Sequence, residues 1–209
     1  METMQKRLGR LAFDIDGVLS NFQPVFLNFH NQRYGTRFTI DELTSYEFWK
    51  VFHVPEKELQ GEMVDFYQSP FFKKIVPLPG SKEAIKQLYR RNLLYVVTSR
   101  PDTIHDETVA WLGNHFPNIF SRVHFTSHFG GNGSREKKSD FCLEQGYPII
   151  IEDVAEYANE CAERGITAFI LTRPWNREEK LHPGVTRIGD LNKAGDWKEH
   201  WKELLHYLE

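Results

Sequence analysis

Five apolar runs of strand character, "RLAFDI", "LLYVVTS", "RVHFTS", "PIIIED" and "TAFILTR", are mostly separated by segments of helical pattern, and no other feature constrains the fold as much. Strands that alternate with helices build a parallel sheet covered on both faces, so an α/β class is expected. The helical candidates in the second half are "GSKEAIKQLYRR", "DETVAWLGNHF", "KKSDFCLEQG" and "AEYANECAERG". The last two end at Gly146 and Gly165, where a left-handed residue stops a helix before the next strand.

The first two strand runs stand much further apart than a strand-helix-strand crossover of about thirty residues requires. The intervening stretch is rich in aromatics and carries helical patterns at "QPVFLNFHNQRYG" and "PEKELQGEMVDFYQS". A small helical cap over 21–76, inserted after the first strand into a core of 1–20 and 77–209, accounts for it. "VPLPG" then marks the return, with Pro77 and Pro79 stiffening the chain and Gly80 opening the next helix. "FGGNGSREKK" reads as a flexible surface loop.

With 209 residues, 40% of them hydrophobic, the chain can bury one core and a smaller one beside it. Lysine and arginine number 26 against 29 acids, a net charge of -3, so no general basic field draws it to polymeric nucleic acid or to an anionic membrane. An anionic small molecule would need a local positive site. Two cysteines, Cys142 and Cys161, are too few for a disulfide scaffold and read as buried thiols. "METMQKRLGR" lacks the apolar stretch of a secretory signal and no run is long enough to span a bilayer, so a cytoplasmic location is expected.

In an open parallel sheet, ligands bind beyond the carboxyl ends of the strands. There the first run ends in Asp14 and Asp16, the second in Thr98 and Ser99, and "PIIIED" in Glu152 and Asp153, while Lys137 and Lys138 open the preceding helix. Two carboxylates one residue apart repel unless a cation lies between them, and hard oxygen donors suit Mg2+. Asp14, Asp153 and the backbone carbonyl of Asp16 are the expected ligands. Asp14 is then placed as a nucleophile toward a metal-polarised phosphoryl group, and Asp16 as the acid for the leaving oxygen and later the base for water. Thr98, Ser99 and Lys138 would hold the phosphoryl oxygens, with Lys138 preferred over Lys137 because it adjoins "SD". Glu152 is open between a water-mediated metal contact and a partner for loop N–H groups.

"FDIDGVL", "VVTSR", Lys138 of "KKSD" and "IIIED", in that order, resemble the four motifs of the haloacid dehalogenase (HAD) superfamily of phosphohydrolases. The resemblance implies a Rossmann-like core, a helical cap after the first motif, magnesium dependence and an aspartyl-phosphate intermediate; an acid at Asp16 is the phosphatase form. "YQSPFFKKIVPLPGSKEAI", "VVTSR", "IIIEDV" and "GDWKEHWKELL" are similar to the 5'(3')-deoxyribonucleotidase branch, and "RPWNR" to its bacterial and archaeal members. That branch implies a nucleoside monophosphate as substrate. The second motif departs from the animal enzymes, reading "TSR" where they have "TSP".

The cap aromatics Phe22, Phe26, Phe29, Tyr46, Phe48 and Trp49 could stack a base, although the first three, at helical spacing, suit the core of a small domain better. Phe22 and then Trp49 are the expected substrate contacts. His30, His105 and His115 read as surface or capping residues; Trp175 and Asn176, after the last strand, could close one side of the site, although a Trp packed over the sheet edge suits the composition better. Two other readings stand beside nucleotide hydrolysis: a phosphatase for another small ester, such as a sugar phosphate or phosphoglycolate, and a signalling module that merely accepts phosphate.

Overall fold

The computed structural model describes residues 9–126, 136–193 and 195–208. Most of the "FGGNGSREKK" segment lies outside them. Six parallel strands form one sheet: β1 (Gly9–Phe13), β2 (Asn92–Thr98), β3 (Phe120–Phe125), β4 (Ile149–Glu152), β5 (Thr167–Leu171) and β6 (Val185–Ile188). Their order is β3-β2-β1-β4-β5-β6. The chain therefore winds outward one way from β1 and the other way from β4, and a crevice opens where those two strands part company.

Period-two alternation decides which side chain meets which layer. From β1, Leu11 and Phe13 point to one face, where they pack with Ile85 and Leu88 of α4 (Ser81–Tyr89), Leu112 of α5 (His105–His115) and Trp201 and Leu204 of α8 (Trp197–Leu208). Ala12 points to the other, against α6 (Lys138–Gln145) and α7 (Ala155–Glu163). Cys142 and Cys161 lie buried and unbridged in that second layer. α6 stops at Gly146, whose φ of 68° is the left-handed turn that glycine adopts without strain.

Between β1 and α4 the chain forms α1 (Phe22–Tyr34), the short α2 (Phe48–Phe52) and α3 (Glu56–Gln68). The strands leaving and re-entering the core touch: Asn21 N–H donates to the Val76 carbonyl at 2.8 Å, and Ser20 bridges Pro77. Phe26, Phe48, Phe52 and Phe66 form the centre of this helical layer, with the Phe26 and Phe66 rings edge-to-face at 5.2 Å.

His30 is not at the surface. It is 3% exposed, stacked on Phe52 at 3.9 Å, and its Nδ1 lies 2.9 Å from Glu62 of α3. His30 follows Phe22 and Phe26 at four-residue steps on α1, so it shares their inward stripe, and Glu62 is placed likewise between Leu59 and Phe66. A polar pair on two facing apolar stripes is satisfied by pairing with itself.

Candidate active site

The carboxyl ends of β1 and β4 bring the acids together. Asp14 follows β1 directly, and its backbone N–H continues the ladder to the Ile151 carbonyl at 3.0 Å. Beyond it the chain curls: the Leu19 and Ser20 N–H groups both reach the Ile15 carbonyl at 2.8 Å, which holds Asp14 and Asp16 at one mouth. Gly17 sits at the apex with φ 79°, and a Cβ there would lie 2.1 Å from Asp153 Oδ2. The glycine is required by close approach as much as by backbone angle.

Lys138, the first residue of α6, is 4% exposed and donates through Nζ to Asp14 Oδ1 and to Glu152 Oε1, each at 2.7 Å. Lys137 instead points outward to Glu160. Glu152 accepts from Lys138 and lies 3.3 Å from the Asp153 N–H, so it serves as anchor for the lysine and the loop. Burial raises the Asp14 and Asp153 carboxyls above the ordinary range and pushes Glu152 up to about 7, with Lys138 pulling Asp14 and Glu152 back and Arg173, then Lys138, pulling Asp153 back. Lys138, although burial disfavours its charge, is held above its usual value by Asp14 and Glu152.

Three buried carboxylates, those of Asp14, Glu152 and Asp153, place ligand atoms within 4.8 Å of one another. Asp153 Oδ1 is buried with no hydrogen-bond partner among the described residues. Three buried carboxylates offering hard oxygen donors, one of them with an oxygen unpartnered among the described residues, fit a small divalent cation such as magnesium. The Asp16 side chain is not in that group.

Asp16 is held from elsewhere. Arg100, just past β2 and 3% exposed, donates Nε to Oδ2 at 2.8 Å and Nη2 to Oδ1 at 2.6 Å, and Ser20 Oγ adds a bond to Oδ1 at 2.6 Å. This two-pronged geometry fixes the carboxylate plane. Asp16 and its neighbours overcome the burial that would lower Arg100, leaving the guanidinium raised. Arg100 is not among the site residues expected from sequence: its partner lies 84 positions away and no periodicity links the two.

Thr98 and Ser99 are buried at the end of β2, and both line the same small cavity as Asp14, Asp16 and Lys138. Phe22 and Trp49 reach this cavity from α1 and α2. The cavity, about 70 Å³, opens beside a cleft of about 890 Å³ between α3 and the core, whose walls include Tyr46, Trp49 and Tyr67. Trp49 lines both spaces; Phe22 lines the inner one.

Of the two readings of the segment after β5, the structure favours the one beside the site. Trp175 Nε1 donates to Asp153 Oδ2 at 3.0 Å, and Asn176 Nδ2 to the Asp153 carbonyl at 2.7 Å. Arg173, fully buried, donates Nε to the Gly17 carbonyl at 2.8 Å and Nη1 toward His200 Nδ1 at 3.1 Å. Arginine can only donate, so that imidazole nitrogen accepts, in keeping with burial and Arg173 pushing His200 down to about 4. Asp153 and the Gly17 turn are thus braced by one short segment.

Comparison with known proteins agrees with this arrangement. The family model described as "5' nucleotidase, deoxy (Pyrimidine), cytosolic type C protein" matches residues 8–129, which contain Asp14, Asp16, the helical insertion, Thr98 and Arg100. "Putative nucleotidase BH1399" of Halalkalibacterium halodurans is 21% identical over 198 residues, 94% of either chain. Among solved structures, a haloacid dehalogenase-like hydrolase, SP0104 from Streptococcus pneumoniae, superposes with a TM-score of 0.67 at 14% identity, covering 97% of this chain and 99% of that one. The "putative HAD-hydrolase YfnB" of Bacillus subtilis, solved bound to magnesium, gives a TM-score of 0.61 at 15% identity over 98% of this chain and 100% of its own. At such identities these two structures establish the shared fold.

Proposed function

Since the chain belongs to the family of 5' nucleotidases of the deoxy (pyrimidine), cytosolic type C description, and is a phosphohydrolase by that membership, we propose that it hydrolyses nucleoside or deoxynucleoside monophosphates through a phosphoryl group carried on Asp14. The observation that carries the reading is the buried Asp14 carboxylate at the β1/β4 crevice, with Lys138 2.7 Å away and Asp16 at the same mouth. Residues 21–76 act as a cap on the catalytic core, and the location that fits the family description is the cytosol. Among the described residues no helix is long and apolar enough to cross a membrane.

In the first step an Asp14 carboxylate oxygen attacks phosphorus, the bond from phosphorus to the ester oxygen breaks, and Asp16 delivers a proton to that oxygen. In the second, Asp16 takes a proton from water, the water oxygen attacks phosphorus, and the bond to Asp14 breaks to give inorganic phosphate. Thr98, Ser99 and Lys138 hold the phosphoryl oxygens and offset their charge throughout. Asp14, Asp153 and the Asp16 carbonyl would hold magnesium, which when bound supplies Lewis-acid polarisation of the phosphoryl group.

Size supports a nucleotide over phosphoglycolate: the inner cavity suits a phosphoryl group, whereas the adjoining cleft is within the range of organic-ligand sites, roughly 300–1,000 Å³. Trp49 at the junction of the two offers a stacking face for a base. Phosphate release from 5' and 3' ribo- and deoxyribonucleotides, sugar phosphates and phosphoglycolate, each with magnesium and with chelator, tests the assignment. The expected result is magnesium-dependent release that favours nucleoside monophosphates. Faster hydrolysis of a sugar phosphate or of phosphoglycolate overturns the substrate, and stable phosphorylation without turnover of any ester overturns the reaction.

A further inference from the structure

We propose that Trp175 is a positioning residue for the metal, its indole N–H fixing Asp153 so that Oδ2 is occupied by the protein and Oδ1 is the oxygen offered to the cation. The proposal rests on reading Asp153 as a metal ligand.

The two oxygens of Asp153 stand in different surroundings. Oδ2 accepts from Trp175 Nε1 at 3.0 Å and abuts Gly17, where even a methyl group would collide with it. Oδ1 is buried and has no hydrogen-bond partner among the described residues. The same indole N–H lies 3.1 Å from the Asp153 carbonyl, which also accepts from Asn176 Nδ2, so backbone and side chain of Asp153 are gripped together. A carboxylate free to rotate about its last bond would take any orientation; this one cannot leave its plane without breaking the bond to Trp175.

Trp175 is itself immobilised. It is 1% exposed and its ring packs within the aromatic cluster that includes Phe22 and Phe26 of α1. Asn176 Oδ1 accepts from the Arg173 N–H at 3.1 Å and from Arg187 Nη1 at 2.8 Å, closing the turn that carries the indole. Outer partners of this kind orient a ligating group before the cation arrives, and their loss typically costs about 10- to 100-fold in metal affinity.

The test is magnesium binding to the substrate-free protein by calorimetry, for the unaltered chain, Trp175→Phe and Asp153→Asn. Phenylalanine keeps most of the buried ring and removes the donor. The expected result is a magnesium dissociation constant raised about 10- to 100-fold in Trp175→Phe, at a melting temperature close to that of the parent, with a larger loss in Asp153→Asn. Parental affinity in Trp175→Phe alongside lost affinity in Asp153→Asn overturns the role of Trp175 and leaves the ligand in place. Parental affinity in both variants overturns the ligand reading beneath it.

Should Trp175→Phe fail to fold, indole N–H resonances of the nitrogen-15-labelled parent keep the proposal testable. The chain has 5 tryptophans, so Trp175 can be assigned by elimination with Phe variants of the others. Its Nε1–H signal is expected to move during magnesium titration with the calorimetric midpoint, and a signal that stays still overturns the proposal.

Discussion

Asp14→Asn is expected to give a folded protein whose phosphate release falls by on the order of 10⁴-fold or more, the scale seen when a covalent nucleophile is removed. Asparagine matches the carboxylate in shape, so the β1 end and its bond to the Ile151 carbonyl should persist. The fold does not lose an essential partner either: Lys138 keeps Glu152 at 2.7 Å, and one of the buried acids that raise one another's carboxyls is neutralised. The melting temperature should therefore hold or rise while turnover disappears. Steady-state phosphate release beside a thermal melt makes the comparison, and a rate within tenfold of the parent would remove Asp14 from the reaction.

Lys138→Met should do the reverse, damaging both fold and chemistry. The lysine is the cation shared by Asp14 and Glu152, its Nζ donating to both acids at 2.7 Å. Removing one partner of a buried ion pair is costly because the remaining charge stays buried, typically about 3–5 kcal/mol. Loss of a positive group facing the transferred phosphoryl should slow the reaction by about 10² to 10³ as well. Denaturant unfolding in chelator, with phosphate release measured in magnesium, separates the two effects. Unchanged stability would mean that the lysine does not hold these acids together in solution.

The core of this site is local in sequence, which is why so much of it can be read there. Asp14 and Asp16 lie directly beyond an apolar strand run, Thr98 and Ser99 end another, and Glu152 with Asp153 ends a third; the rule that ligands meet parallel sheets at strand ends then brings them together. Lys138 needs one more step, the start of the helix that leads into β4. Arg100 and Trp175 are different, since each acts through a bond to a residue in another strand-end loop. A guanidinium reaching Asp16 and an indole N–H reaching Asp153 leave no periodic trace; the position of Trp175 after the last apolar run suggests the site's edge, but not the bond to Asp153.

Among the elements, β6 escaped notice because its four residues, Val185 to Ile188, include Thr186 and Arg187 and form no apolar run at the sheet edge. α8 left a clearer signal. Trp197, Trp201, Leu204 and Leu208 recur at helical spacing, although the segment is not among the helices expected above, and Trp201 stacks near Phe13 at 6.4 Å. His30 and Glu62 show the opposite difficulty: their positions on two apolar stripes were legible, but their pairing depends on how α1 and α3 face each other.

The central claim, that phosphate passes through Asp14, is tested most directly by acid-quenching the enzyme during turnover of a nucleoside monophosphate labelled in its phosphate, with magnesium present. The digested protein should carry the label on the peptide that contains Asp14, at Asp14 itself, and Asp14→Asn should carry none. Label on Asp16 or on any other side chain, or turnover with no labelled protein under conditions where hydrolysis of the intermediate is slower than its formation, would contradict the account.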